Sequence, residues 1–362
     1  MNFRPERIEA CQELLEQGRP AQALKLLPKG LPAGFAAEVA HLRAEALRAM
    51  GDLGGCRRWY ETSLARTEPA ADLALWLDSC LGLVAALRSL GLCAQARRRL
   101  AEGLALAAGR RPSMASHLER LRLEEVLLDR AEGLYGKSIR GLKAFQRTFR
   151  RRRDWAGEGF VLWALGGARR FSGDLAGSTE DFLRSRSRFR KAGDGIGEGY
   201  ALLGLGGVER IRGNLAEASR RYLAARRVFA KTQDLFARAY AECGLGNCLR
   251  QRGLLSQAKM RYRKAHALYS RISDPADLAY VDWGLGKIAL QEGDLREAGR
   301  RLSLALSGFE RFGEARGVVL SLTALAACLH AQGRTREAES IFDRGLRLAR
   351  RSGLHAHLEV FT

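Results

Sequence analysis

Hydrophobic positions recur along this chain with a helical period, and glycine interrupts the pattern at regular distances. Nine glycines do so, the last five of them forty residues apart: Gly18, Gly51, Gly91, Gly133, Gly173, Gly213, Gly253, Gly293 and Gly333. Self-similarity at a period of this length is typical of helical repeat arrays. The pattern therefore predicts about nine helix-turn-helix repeats, each with its turn at one of these glycines.

Two positions after each turn glycine keep the same size class in every repeat. Five residues after the glycine the side chain is small: Ala23, Cys56, Ala96, Ser138, Ser178, Ala218, Ala258, Ala298 and Ala338. Nine residues after it the side chain is large and predominantly apolar: Leu27, Tyr60, Leu100, Leu142, Phe182, Tyr222, Tyr262, Leu302 and Phe342. One helical turn separates this small position from this large position, so both lie on one face of the second helix. We predict that this face packs closely against the first helix.

Glycine also recurs inside the first helix of the regular repeats, in Gly166, Gly206, Gly246 and Gly286. A glycine within a helix costs roughly 0.5–1 kcal/mol relative to alanine, so its recurrence predicts a close helix-helix contact that offsets the loss. The turn glycine is predicted to end the first helix in a left-handed conformation. In four repeats the residue after this glycine is an Asp or Asn, which commonly caps a helix. We therefore predict that the second helix is capped by Asp52, Asp174, Asn214 and Asp294.

These positions resemble the tetratricopeptide-repeat (TPR) family. One repeat carries the family's pattern in Tyr200, Leu205, Gly206, Gly213, Ala218, Tyr222 and Ala225. The family's usual period is about 34 residues, and the period of forty here is similar to a variant with a longer second helix. The resemblance implies an all-α fold, a right-handed superhelical solenoid of about nine helix-turn-helix units.

The resemblance divides the chain into four segments. Residues 1–35 are predicted to be an N-terminal capping helical hairpin, and 36–153 degenerate TPR units in which Arg43 and Glu125 replace the usual leucine. Residues 154–353 are predicted to be five regular forty-residue units, followed by a C-terminal tail at 354–362.

Composition agrees with helix throughout, because alanine, leucine, arginine and glutamate dominate and only seven prolines are present. The formal net charge of +21 favours acidic proteins, nucleic acid or an anionic membrane surface as partners, although a solvated arginine-rich surface explains it equally well. The seven cysteines form no C-x-x-C pair, which indicates a reducing compartment. No segment has the apolar length of a membrane span or a signal peptide, so we expect a cytoplasmic protein.

No pattern in the chain indicates chemistry. The six histidines have no metal-ligand spacing, and the glycine runs near Gly204 and Gly244 lie within helices, without the preceding strand that a nucleotide loop needs. We therefore expect no catalytic residues, no metal site and no cofactor, and predict that the protein is not an enzyme.

The candidate partner-binding residues lie on the first helix of each repeat, which the resemblance places on the concave wall. Three residues before the turn glycine stand Arg48, Arg88, Arg130, Arg170, Arg210 and Arg250. Guanidinium groups there suit carboxylates or phosphates, whereas a cation in the last turn of a helix is also explained by the helix dipole alone. Further candidates are aromatic residues near the start of the first helix, namely Trp163, Tyr200, Tyr240, Tyr280 and Trp283. Asn247 and Lys287 are candidates because they occupy a position that, by resemblance to the family, faces the groove. The aromatic members are equally typical of a core between stacked repeats.

The first hypothesis is a non-enzymatic adaptor or scaffold that holds a protein partner, an acidic peptide segment, in its concave groove. The alternative is a nucleic-acid-associated or regulatory protein that uses a convex basic surface, including the run Arg150, Arg151, Arg152 and Arg153. The identity of the partner and the oligomeric state are left open.

Overall fold

The computed structural model describes residues 6–354 apart from 111 and 273. Within these residues eighteen α-helices follow one another and no strand is present. The helices are α1 Glu6–Glu16, α2 Pro20–Leu26, α3 Ala36–Ala49, α4 Leu53–Arg66, α5 Leu73–Ser89, α6 Cys93–Ala108, α7 Ala115–Ala131, α8 Tyr135–Arg152, α9 Trp155–Phe171, α10 Leu175–Lys191, α11 Gly195–Ile211, α12 Leu215–Phe229, α13 Leu235–Gln251, α14 Leu255–Arg271, α15 Pro275–Gln291, α16 Leu295–Phe312, α17 Ala315–Ala331 and α18 Thr335–Arg351. The all-α prediction with about nine helical pairs is confirmed.

The chain forms two compact units. The first comprises Met1–Glu132, Lys231–Phe236 and Arg271–Asp274, and the second comprises Gly133–Ala230, Ala237–Ser270 and Pro275–Thr362. Each unit has its own apolar clusters. The four-segment division drawn from the resemblance stays a prediction, and its tail at 354–362 lies outside the described residues from 355 onward.

The turns between paired helices have the predicted backbone. All nine turn glycines have a positive φ, between 69° and 87°, which a residue with a side chain rarely adopts. Asp52, Asp174 and Asp294 cap the following helix by accepting a hydrogen bond from a backbone N–H of its first turn. The side chain of Asn214 makes no capping hydrogen bond to α12, and its amide donates to Glu209 Oε2 at 2.7 Å.

The small and large positions form the contact between helices. All nine small positions are at most 6 % exposed, and eight of the nine large positions are at most 7 % exposed. The exception is Phe342 in α18, which is 44 % exposed. The packing role assigned to these positions is therefore confirmed for every repeat but the last.

In each helical pair, the first helix, which ends at the turn glycine, is called helix A, and the second is called helix B. The aromatic ring at the large position is enclosed by glycines of two successive A helices. A Cβ on Gly166, in the same repeat as Phe182, would lie 2.9 Å from that ring, and one on Gly204, in the next repeat, 2.3 Å from it. Tyr222 lies in the same way between Gly206 and Gly244, and Tyr262 between Gly246 and Gly284. The glycines thus let each ring pass between two A helices.

Candidate functional site

The phenol groups of these enclosed tyrosines hold arginines of the second unit. Arg210 is 8 % exposed and hydrogen-bonds with Tyr222, while Arg250 is 4 % exposed and hydrogen-bonds with Tyr262. Burial raises the pKa of Tyr262 to about 12, and Arg250 opposes that rise. Both phenols are therefore neutral at pH 7 and orient the guanidinium groups beside them.

Arg170 has a different environment, because its repeat carries Phe182 at the large position and offers no hydroxyl. Its guanidinium carbon lies 5.0 Å from the centroid of the Phe171 ring. One terminal nitrogen lies over α11, where a Cβ on Gly207 would be only 2.2 Å away. Gly207 thus makes room for the arginine of the preceding repeat, which explains why no larger residue stands at this position.

In the first unit, Arg48 and Arg88 pair with carboxylates. Arg48 is exposed, pairs with Glu45 at 2.5 Å and donates from Nε to the Tyr60 hydroxyl at 3.1 Å. Arg88 pairs with Glu124 at 2.9 Å, and both side chains are largely buried. Arg130 is half-buried in the last turn of α7. Ion pairing neutralises Arg48 and Arg88, so these two have less positive charge to offer an anion.

The predicted aromatic residues pack between neighbouring repeats of the second unit. Trp163 and Tyr200 make an edge contact with ring centroids 6.0 Å apart, and Tyr280 packs edge-on against Phe309 at 4.6 Å. Tyr240 is half-buried against an apolar cluster. Trp283 is 3 % exposed, and its Nε1 donates to the carbonyl of Leu320 at 3.0 Å. These side chains stabilise the stack, whatever further contacts they make.

Two cations share the Trp283 ring. The guanidinium carbon of Arg250 lies 5.4 Å from the ring centroid, and the ammonium nitrogen of Lys287 lies 5.6 Å from it. Burial and the nearby Arg250 lower the pKa of Lys287 to about 8. Asn247, one turn before Arg250, accepts from Tyr262 at 2.9 Å and donates to the carbonyl of Cys243 at 3.2 Å. The predicted residues Asn247, Arg250, Trp283 and Lys287 are thus brought together in one cationic cluster.

Two residues that the sequence pattern did not single out form a similar arrangement. Arg316, the second residue of α17, has its guanidinium carbon 5.5 Å from the centroid of Phe171, the last residue of α9. Tyr135 stacks on the same ring, with centroids 6.0 Å apart. The contact joins repeats that are not neighbours along the chain, so no repeat-based signal could have revealed it.

The basic run lies at the end of α8. Arg150, Arg151 and Arg152 end the helix and Arg153 follows it with a φ of 57°, and all four side chains are exposed. Two arginines of α10 pair with carboxylates: Arg188 with Glu158 at 2.7 Å and Arg190 with Glu198 at 3.0 Å.

The first unit contains a separate polar cavity of about 460 Å³, lined by His41, Glu45, Asp78 and Arg120 among others. His41 Nδ1 lies 2.9 Å from Ser79 Oγ, which lies 2.9 Å from Ser63 Oγ. Ser63 donates its only proton to the carbonyl of Ala37, so Ser79 must donate to Ser63 and His41 to Ser79. This chain fixes the His41 tautomer with the proton on Nδ1. Burial lowers the His41 pKa, which favours the neutral ring.

A family comparison identifies the C-terminal repeats. Residues 277–351 match the family model of the tetratricopeptide repeat. They are tetratricopeptide repeats. The resemblance found in the sequence is thereby confirmed. No curated protein matches this sequence.

Solved structures with a similar fold are TPR-like helical repeat proteins. A Rap protein complexed with competence and sporulation factor has a TM-score of 0.67 at 10 % identity, over 96 % of this chain and 97 % of that one. The apo form of RapI has a TM-score of 0.57 at 14 % identity, over 72 % and 95 %. Aspartyl phosphate phosphatase F from Bacillus subtilis has a TM-score of 0.58 at 9 % identity, over 96 % and 95 %. At these identities the likeness is one of fold.

In the described part of the chain, no group of three or more histidine, cysteine, aspartate or glutamate residues is arranged to hold a metal ion. Burial raises the pKa of the Cys56, Cys80 and Cys243 thiols to about 12, so they stay protonated and are poor nucleophiles. Among the same residues, no helix combines the length and apolarity needed to cross a bilayer.

Proposed function

We propose that the second unit binds an acidic peptide segment of a protein partner on the surface of its A helices, and that the protein acts as a non-enzymatic adaptor. The observation that carries this proposal is the cationic cluster of Arg250 and Lys287 on the Trp283 ring. Lys287 has no carboxylate at ion-pair distance among the described residues, and its pKa is lowered to about 8. Burial and the neighbouring Arg250 both disfavour the charged ammonium, and a bound anion would offset these two effects.

The spacing of the cations suits an extended segment. Arg170, Arg210 and Arg250 stand at one position of three successive A helices, and neighbouring A helices such as α9 and α11 contact each other. Packed helices lie about 8–10 Å apart, and an extended peptide in the polyproline II conformation advances roughly 3.1 Å per residue with about three residues per turn, so that every third side chain lies on one face. Acidic side chains at every third residue would therefore match successive arginines, and about seven residues would cover all three.

The tyrosines support the same role by preorganising the arginines. A guanidinium held by a buried phenol loses less side-chain freedom on binding than one on a flexible surface, so more of the interaction energy appears as affinity. The Rap structure is a complex with competence and sporulation factor, which is an example of a similar fold holding a partner. One similar structure is named as an aspartyl phosphate phosphatase, but the proposed adaptor catalyses no reaction. The proposed adaptor is a cytoplasmic protein, as expected from the sequence.

The test is a fluorescence anisotropy titration with a labelled, end-blocked peptide about twelve residues long that carries glutamate at every third position. The wild-type protein should bind it and should not bind the matching lysine peptide. Replacing Arg170, Arg210 and Arg250 together by glutamine should abolish binding. The matched control replaces three exposed arginines on helices B, Arg220, Arg336 and Arg347, and should retain it.

Circular dichroism of both triple variants checks that the helices remain, because Arg210 and Arg250 are buried. Undiminished peptide binding by the folded A-helix variant would falsify the proposal. Equal loss in both triple variants would show that net charge, not this surface, attracts the peptide.

A further inference from the structure

Phe171 is shared by two guanidinium groups from distant parts of the second unit. Arg170 in α9 and Arg316 in α17 lie 5.0 Å and 5.5 Å from its ring centroid. The ring face attracts each cation, while the two cations repel each other. A pair of like charges gathered around one ring is therefore an arrangement that an anion stabilises.

Arg316 has hydrogen-bond donors that the described residues leave unused. Its Nη1 donates to the Tyr280 hydroxyl over a long distance of 3.5 Å, and Tyr280 in turn donates to Glu314 at 2.9 Å. The Nε of Arg316 is buried and has no hydrogen-bond partner within the part of the chain that the structure describes. Neither Arg170 nor Arg316 has a carboxylate at ion-pair distance among those residues. A buried guanidinium N–H without an acceptor costs free energy that a ligand oxygen would recover.

We infer that Arg170 and Arg316, which share the Phe171 ring, form a second anion subsite that receives a carboxylate of the acidic peptide. This inference rests on the proposed function. It adds Arg316, which is not one of the three arginines replaced in the test of that function. Guanidinium groups suit this task because each can offer two parallel N–H donors to one carboxylate. A peptide bound here would connect α9 with α17, which are separated by seven helices along the chain.

A phosphate group could accept hydrogen bonds from the same guanidinium donors. A separate experiment therefore distinguishes a peptide carboxylate from phosphate. Inorganic phosphate is the probe. If the subsite reads a carboxylate within a peptide, phosphate at millimolar concentration should displace the glutamate peptide only weakly, because it lacks the contacts along the A helices. Displacement at micromolar phosphate would overturn the assignment to a peptide carboxylate.

The main experiment is a double-mutant cycle on the glutamate peptide. Arg316→Gln should weaken binding about tenfold, as expected for loss of a charge-assisted hydrogen bond, whereas the exposed control Arg347→Gln should leave it unchanged. Each glutamate of the peptide is then replaced in turn by glutamine. One of these changes should weaken binding to the wild type but not to Arg316→Gln, because the two partners of one contact are not additive.

Coupling to a single glutamate supports a direct contact, which a merely structural role of Arg316 would not produce. Arg316→Lys, which keeps the charge but not the paired donors, should bind with intermediate affinity. Wild-type affinity in Arg316→Gln, or equal coupling to every glutamate, overturns the inference while leaving the proposed function in place. If the wild type binds no glutamate peptide, the proposed function fails, and this inference fails with it.

Discussion

Alanine at Gly204 in α11 should destabilise the second unit, although alanine is the better helix former. A Cβ at this position would lie 2.3 Å from a ring carbon of Phe182. Carbon atoms in ordinary contact are about 3.5–4.0 Å apart, so the ring or the helix must move. Overpacking of this kind costs about 1–3 kcal/mol, and the gain in helix propensity returns roughly 0.5–1 kcal/mol. The expected net loss is about 0–2.5 kcal/mol, centred near 1 kcal/mol.

The matched control is Gly299→Ala inside α16, in the same unit. A Cβ there meets only the Cys328 Sγ, at an ordinary contact distance of 3.9 Å, so only the helix propensity changes and stability should rise by roughly 0.5–1 kcal/mol. Urea unfolding of both variants, followed by far-UV circular dichroism, compares them with the wild type. A rise in stability for Gly204→Ala equal to that of the control would refute the close packing between repeats.

Three further predictions concern named groups. Affinity for the glutamate peptide should be full below pH 8 and should fall by up to about tenfold per pH unit above it. The reason is that the anion binds protonated Lys287, whose pKa without ligand is about 8. Lys287→Met should weaken binding and remove this pH dependence in the same titration. Tyr262→Phe should lower the free energy of unfolding by about 1–3 kcal/mol in urea, because it takes a hydrogen-bond partner from both Arg250 and Asn247; a neutral effect would contradict their coupling. Long-range proton–nitrogen NMR correlations should show the proton of His41 on Nδ1, and a proton on Nε2 alone would contradict the serine chain.

The repeat architecture is predictable from the sequence because it depends on local rules. A positive φ at Gly213 and burial at Ala218 and Tyr222 follow from glycine chemistry and helical spacing, which act within one repeat. The pairing of Arg210 with Tyr222 was also accessible, since both positions recur at fixed offsets, but it requires knowing that the ring passes between two A helices.

The electrostatic character of each arginine was not accessible in the same way. Arg88 is neutralised by Glu124 of the next A helix, whereas Arg170 at the same repeat position lies on Phe171. The contact of Arg316 with Phe171 depends on how the stack curves, which results from small rotations summed over several repeats.

The most direct test of the central claim is photo-crosslinking of the glutamate peptide with a benzophenone residue at its centre, followed by mass spectrometry of the adducts. The account predicts adducts on the A helices of the second unit, at residues around Tyr240 and Asn247. Adducts confined to the first unit, or to outward positions of helices B such as Arg220, would contradict it.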